Sequence, residues 1–83
     1  MAKSSDDRRV RAFGAAVRLR REELGVSQEA LGYKAHVHRT YVSDVERGAR
    51  NPTVKVIWKL AVALDTKPSA LFASAEEDAA EGL

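Results

Sequence analysis

Apolar residues recur along this chain at helical spacing, and none of its segments alternates as a strand would. Phe13, Val17 and Leu24 stand four and seven residues apart, which predicts a first helix over about 7–24 with these three on one face. Gly25 follows as a C-cap, and Ser27 is a good N-cap for a second helix from Gln28 to about Ala35, with Leu31 and Ala35 facing inward. His36–Val37–His38 reads as a turn. A third helix over about 39–47 points Val42 and Val45 into the core and stops at Gly48. The stretch 49–52 is a loop, and Thr53 caps a fourth helix to about Leu64 with Val54, Ile57, Ala61 and Leu64 on its core face. Residues 65–67 turn, and Pro68 suits the first position of a short fifth helix whose Leu71 and Phe72 close the core. Residues 1–7 are polar and expected to fray. From Ala73 no apolar stripe is visible, so the end is expected to be disordered or a frayed extension of helix five.

The expectation is an all-α, compact five-helix bundle: an arm and helix start at 1–12, a domain at 13–72 and an acidic tail at 73–83. Eighty-three residues suit one domain. A chain this short buries only about 60–65% of its unfolded surface, which makes a second copy attractive as added burial. There is no cysteine, so disulfides and zinc fingers are excluded, and two histidines make no convincing metal site. No metal and no cofactor are expected. The longest apolar run, Leu60 to Leu64, is far short of the roughly 20 residues that span a bilayer. The N-terminus has no apolar signal core, so a cytoplasmic protein without membrane contact is expected.

Charge is distributed unevenly. All 14 basic residues lie between Lys3 and Lys67, whereas four of the 12 acids (Glu76, Glu77, Asp78 and Glu81) lie in the tail. The domain is therefore more basic than the net charge of +2 suggests, which fits a polyanionic partner as well as an ordinary solvated surface.

The segment Ser27 to Gly48 is two short helices joined by a tight turn, the second opening with Arg39, Thr40 and Tyr41 exposed. A helix end presented in this way enters the DNA major groove. Arginine takes guanine O6 and N7 bidentately, threonine meets a thymine methyl or a base acceptor, and a carboxylate accepts from cytosine N4. Arg39, Thr40 and Asp44 are thus the candidate base contacts, with phosphate as the alternative for Arg39 and a repulsive, solvated role as the alternative for Asp44. Gln28 begins the second helix, where backbone N–H groups and the helix dipole favour phosphate. Tyr41 and Ser43 are further candidates for the sugar–phosphate edge. One such domain reads only about four or five base pairs, so two copies on a palindrome are needed. Trp58 and Val62, off the core face of helix four, together with Leu71 and Phe72, are the candidate homodimer seam. The alternative is that Trp58 covers the monomer core.

Ser27, Gln28, Leu31, Val42, Ser43, Val45, Glu46, Gly48, Pro52 and Leu60–Ala61 resemble the Cro/cI-like, or XRE, helix-turn-helix regulators. The resemblance covers about 13–72. Within that family, the length and the string HRTYVSDVERGARNPT look most like the controller proteins of restriction–modification systems, small dimeric transcription regulators without a second domain. The resemblance implies a lambda repressor-like DNA-binding domain acting as a homodimer on a palindromic operator in double-stranded DNA. It implies that Gln28 clamps a phosphate and buttresses the third helix, that Arg50, Asn51 and Thr53 grip phosphates, and that Arg21 and Glu46 form an ion pair locking two helices. His36 stands where the family usually has glycine, Gly32 where it has alanine, and Asp65 where it has glycine. No small-molecule effector is expected, and RNA polymerase or a toxin are possible protein partners. Two other functions remain open: an antitoxin that binds a toxin and represses its own gene, or a protein-interaction helical domain. No nucleophile–base constellation is present, since Ser27, His36 and Asp44 are better explained as cap, turn and groove-side residues. An enzyme is not expected.

Overall fold

In the computed structural model, the backbone is described from Lys3 to Gly82 and side chains for residues 8–79. Its elements are α1 (Lys3–Leu24), α2 (Gln28–Ala35), α3 (Arg39–Glu46), α4 (Val54–Ala63) and α5 (Pro68–Gly82), with no strand among the described residues. Each short helix begins on a side chain suited to that task. Ser27 Oγ accepts from the Ala30 N–H at 3.0 Å, and Thr53 Oγ1 accepts from the Val56 N–H at 3.2 Å. These caps satisfy N–H groups that have no partner within their own helix. Pro68 opens α5, where its missing N–H costs nothing. At the far end of α4, Arg20 donates from Nε to the Leu64 carbonyl (3.0 Å) and from Nη2 to that of Asp65 (3.1 Å). A cation on the last carbonyls of a helix also meets the negative end of its dipole.

Leu31, Val42, Val45, Leu60, Leu64 and Val17 are fully buried, with Phe13 and Leu71 nearly so. Helix α1 lies across both α3 and α5, while α2 is wedged between α3 and α4. The crossing of α1 over α3 depends on Gly14. A Cβ there would overlap the Val45 carbonyl oxygen and stand 2.9 Å from that of Glu46, so only glycine lets the two backbones approach so closely.

Several elements differ from expectation. Helix α1 begins at Lys3, although Met1 and Ala2 lie outside the described residues. Leu24, placed on the core face from its spacing, is 40% exposed because the last turn of α1 runs past the core. Helix α3 ends at Glu46, with Arg47 as its cap. On α4 the buried stripe is Leu60, Ala61 and Leu64 with Ile57 at its edge, and Val54 is exposed. Val54 lies on the outward line of Trp58 and Val62, while Val56 and Ile57 of the same turn pack against the core.

The largest correction concerns the tail. Residues 73–82 continue α5, and Ala75 is buried while Ala79 packs against the core. Leu71, Ala75 and Ala79 form a stripe at spacings of four whose last two members are too small to stand out in a hydrophobicity pattern. Small side chains let the helix lie close to its neighbours, and the acids Glu76, Glu77 and Asp78 face solvent. Glu81 lies outside the described side chains.

Candidate nucleic-acid interface

The frame of the helix-turn-helix is a polar lock. Arg21 of α1 meets Glu46 at the end of α3 through two hydrogen bonds, Nε to Oε2 at 2.6 Å and Nη2 to Oε1 at 3.1 Å. Its Nη1 donates to the Val26 carbonyl at 2.8 Å, just before α2. Gln28 Nε2 then donates to Glu46 Oε1 at 2.9 Å. One carboxylate thereby ties α1, the entry to α2 and the end of α3. The side chains of Arg21 and Glu46 are only 13% and 3% exposed, so the two charges compensate each other away from water. Hydrogen bonding to Glu46 and its negative charge hold the Arg21 pKa above the ordinary arginine value, against the lowering effect of burial. A raised pKa means that Arg21 contributes its charge at every pH below that value and loses it only above, so physiological pH never removes the cation. The ion pair that the resemblance implies is present in the structure. Gln28 acts as the expected buttress, with its amide nitrogen committed to Glu46.

Between α2 and α3 the chain turns through His36, which adopts the left-handed conformation (φ 60°, ψ 41°) that glycine takes more readily. Asp65 is likewise left-handed, with φ 55°. Two residues after His36, His38 caps α3. Its Nδ1 accepts from the Thr40 N–H at 3.1 Å and lies 2.6 Å from Thr40 Oγ1. The single lone pair of Nδ1 is shared between the Thr40 N–H and hydroxyl, which fixes that side chain beside the cap. Arg39 and Thr40 are both exposed at the first turn of α3, and Arg39 has no ion-pair partner among the described residues.

Further along α3, the side chains form a chain of contacts. The Arg50 guanidinium lies 4.8 Å from the centre of the Tyr41 ring, a cation–π distance. It also stands 3.7 Å from Asp44, whose other oxygen is 2.5 Å from Arg47 Nη2. Asp44, a candidate base contact by its place on the helix, is thus engaged by two arginines. Ser43 is half-buried and its carbonyl accepts from the Arg47 N–H at 3.0 Å. Thr53 is exposed but uses its hydroxyl as the α4 cap. Asn51 is exposed and, with Pro52, borders an open cavity of about 320 Å³ that also touches Arg9, Phe13, Ile57 and Phe72.

The candidate seam residues do not share one surface. Trp58 and Val62 are 58% and 71% exposed and line a shallow groove with Val54, Lys34, Lys55 and Lys59. Phe72 is half exposed on a different groove, its ring 5.1 Å from that of Phe13. Leu71 is 3% exposed and belongs to the core, which leaves it no surface to lend a second copy. Sequence reasoning missed His38 as a cap, Val54 as a neighbour of Trp58, and Arg47 as a partner of Asp44. The Val54–Trp58–Val62 spacing of four was the legible signal for the second. For the third, Asp44 and Arg47 stand three apart on one helix, an ion-pair spacing.

The helix-turn-helix family model matches residues 17–71. The chain is 43% identical over 61 residues to the control protein C.BamHI of Bacillus amyloliquefaciens, covering 72% of this chain and 75% of that one. The crystal structure of the restriction–modification controller protein C.AhdI from Aeromonas hydrophila is 44% identical, with a TM-score of 0.75 over 76% of this chain and 96% of that one. The controller protein C.Esp1396I, solved as a tetramer in complex with its natural 35 base-pair operator, is 28% identical, with a TM-score of 0.78 over 86% of this chain and 93% of its own.

The lock makes a direct prediction for stability. Replacing Glu46 with alanine strands the Arg21 charge and should cost about 3–5 kcal/mol, whereas Gln28→Ala removes one hydrogen bond to a charged group and should cost about 1.5–3 kcal/mol. Urea denaturation of the variants measures both. Equal midpoints for wild type and Glu46→Ala would show that the pair does not hold the helices.

Proposed function

The chain belongs to the helix-turn-helix family, and from that premise we propose that it is a homodimeric, sequence-specific transcription regulator of the restriction–modification controller type. The observation that carries this reading is the exposed first turn of α3. Arg39 projects there beside a Thr40 whose hydroxyl is pinned by His38, on a helix held by Arg21, Glu46 and Gln28. A helix N-terminus fixed on a rigid frame is the element that enters the major groove in this fold. Arg39 and Thr40 read base edges. Tyr41, Ser43, Arg50, Asn51 and Thr53, with the start of α2 at Gln28, lie along the adjoining backbone. Lysine and arginine contacts with phosphate supply affinity by releasing counterions, and base contacts supply sequence choice. The protein acts on DNA in the cytoplasm by binding, without catalysis.

The solved relative bound to its operator is an assembly of several copies, which supports self-association in this chain as well. The seam is the line of Val54, Trp58 and Val62 on α4. An exposed tryptophan between two valines is costly to leave in water, and aromatic residues are enriched at interfaces.

Recovery of bound sequences from a randomised duplex pool, at two salt concentrations, tests the main reading. The expected result is a palindrome with half-sites about one helical turn apart and a steep salt dependence. Arg39→Ala should then cost about 1–3 kcal/mol at the selected site and relax one base position. Arg50→Ala should weaken binding to all duplexes alike. Recovery of no preferred sequence would sink the regulator reading. The seam has a separate test. Sedimentation should show a dimer for wild type and a monomer with unchanged helix content for Trp58→Glu; a dimeric variant would remove α4 from the interface.

A further inference from the structure

The match to the helix-turn-helix family starts at residue 17, so the first half of α1 lies outside it. Two exposed arginines of that half, Arg9 and Arg11, stand against the stretch that leaves α3. A Cβ added to Gly48 would overlap Arg11 Cγ and stand 2.9 Å from its Cα, so the stem of Arg11 lies directly on that glycine. Arg9 lines the cavity of about 320 Å³ together with Asn51 and Pro52. Both side chains thus border residues 48–52, where Arg50 is also exposed. Arg47 and Arg50 share the carboxylate of Asp44, whereas neither Arg9 nor Arg11 has an ion-pair partner among the described residues.

We propose that Arg9 and Arg11 extend the DNA contact beyond the helix-turn-helix, as cations for backbone phosphates next to those taken by Arg50 and Asn51. This inference rests on the reading of Arg50, Asn51 and Thr53 as phosphate contacts. Each strand of a duplex presents a phosphate about every 3.4 Å of its axis, so a phosphate held at Arg50 has others close on either side. Cations that border the same loop are placed to meet them. Arg11 has its apolar stem seated on Gly48, which leaves its charged head in water and only that head to be ordered on binding. The guanidinium fork then pairs with phosphate oxygens. Contacts of this kind carry no base information: they add affinity on any duplex and fix the register of the protein on the backbone. Sequence choice stays with Arg39 and Thr40 on α3.

The test compares the full-length chain with a double glutamine variant (Arg9→Gln with Arg11→Gln) and a double lysine variant (Arg9→Lys with Arg11→Lys), on the selected operator and on a scrambled duplex of equal length. Glutamine keeps most of the stem and removes the charge. Lys67→Gln controls for loss of any cation, since Lys67 is exposed in the turn that Arg20 holds at the other end of α1. The glutamine pair should bind both duplexes about tenfold more weakly, with their ratio unchanged. Its slope of log affinity against log salt should be shallower by about 0.9 for each phosphate contact removed. Phosphate ethylation interference should lose positions beside those that Arg50→Ala removes. The lysine pair should restore the slope, because an ammonium also neutralises a phosphate, and Lys67→Gln should change neither readout. A glutamine pair with the wild-type slope and ethylation pattern overturns this inference alone and leaves the reading of α3 standing. A lysine pair as weak as the glutamine pair overturns it as well, by making packing on Gly48 the cause. So does an equal change in Lys67→Gln, by making general charge the cause. A wild-type chain that binds neither duplex overturns both this inference and the regulator reading beneath it.

Discussion

Everything in the presentation of α3 depends on a single buried carboxylate. Glu46 accepts from Arg21 of α1 and from Gln28 of α2, while Arg21 also reaches the Val26 carbonyl at the entry to α2. Hydrophobic packing alone allows two short helices to slide or rotate, because apolar contact is non-directional. A bidentate guanidinium–carboxylate pair is directional, and its removal leaves an unpaired charge in a site nearly closed to water. The same geometry explains why Gly14 matters: α1 crosses α3 with its backbone against the Val45 and Glu46 carbonyls, close enough for Arg21 to reach. Polar lock and close crossing are two parts of one arrangement.

That arrangement divides the surface into regions with different work. The first turn of α3, with Arg39 and Thr40, faces outward on the locked frame. Asp44, Arg47, Arg50 and Tyr41 form a contact network beside it. The opposite need, a place for a second copy, falls on α4, where Val54, Trp58 and Val62 are left exposed by the rotation that buries Leu60, Ala61 and Leu64. Helix α5 extends to Gly82 and supplies Ala75 and Ala79 to the core of a chain too small to bury much surface otherwise.

The helices and their starts were legible because their signals are local. Ser27, Thr53 and Pro68 act within a few residues of themselves, and each holds the role its type suggests. The turn over 36–38 was legible as the gap between two helices, whereas the Arg21–Glu46 pair was legible only through resemblance, since nothing in the spacing of positions 21 and 46 marks them as neighbours. What failed was judgment of burial. Leu24 and Val54 keep the helical period but are exposed, Leu24 at the end of α1 and Val54 by the rotation that turns α4 toward Leu60 and Leu64. Leu71 was assigned to both core and seam, and packing leaves it only the first. The alanines of α5 give no hydrophobic signal yet pack closely because they are small. Asp44 was read as a base contact or a solvated, repulsive residue, and its arginine partners were not foreseen, since Arg50 lies beyond the end of its own helix.

The most direct test of α3 as the reading helix is a ¹⁵N–¹H NMR titration with the operator duplex. Perturbations are expected to cluster at the start of α2 near Gln28, over Arg39 to Asp44 and at Arg50 to Thr53. Perturbations centred instead on α5 or on the exposed face of α2, with the amides of Arg39 and Thr40 unmoved, would contradict it.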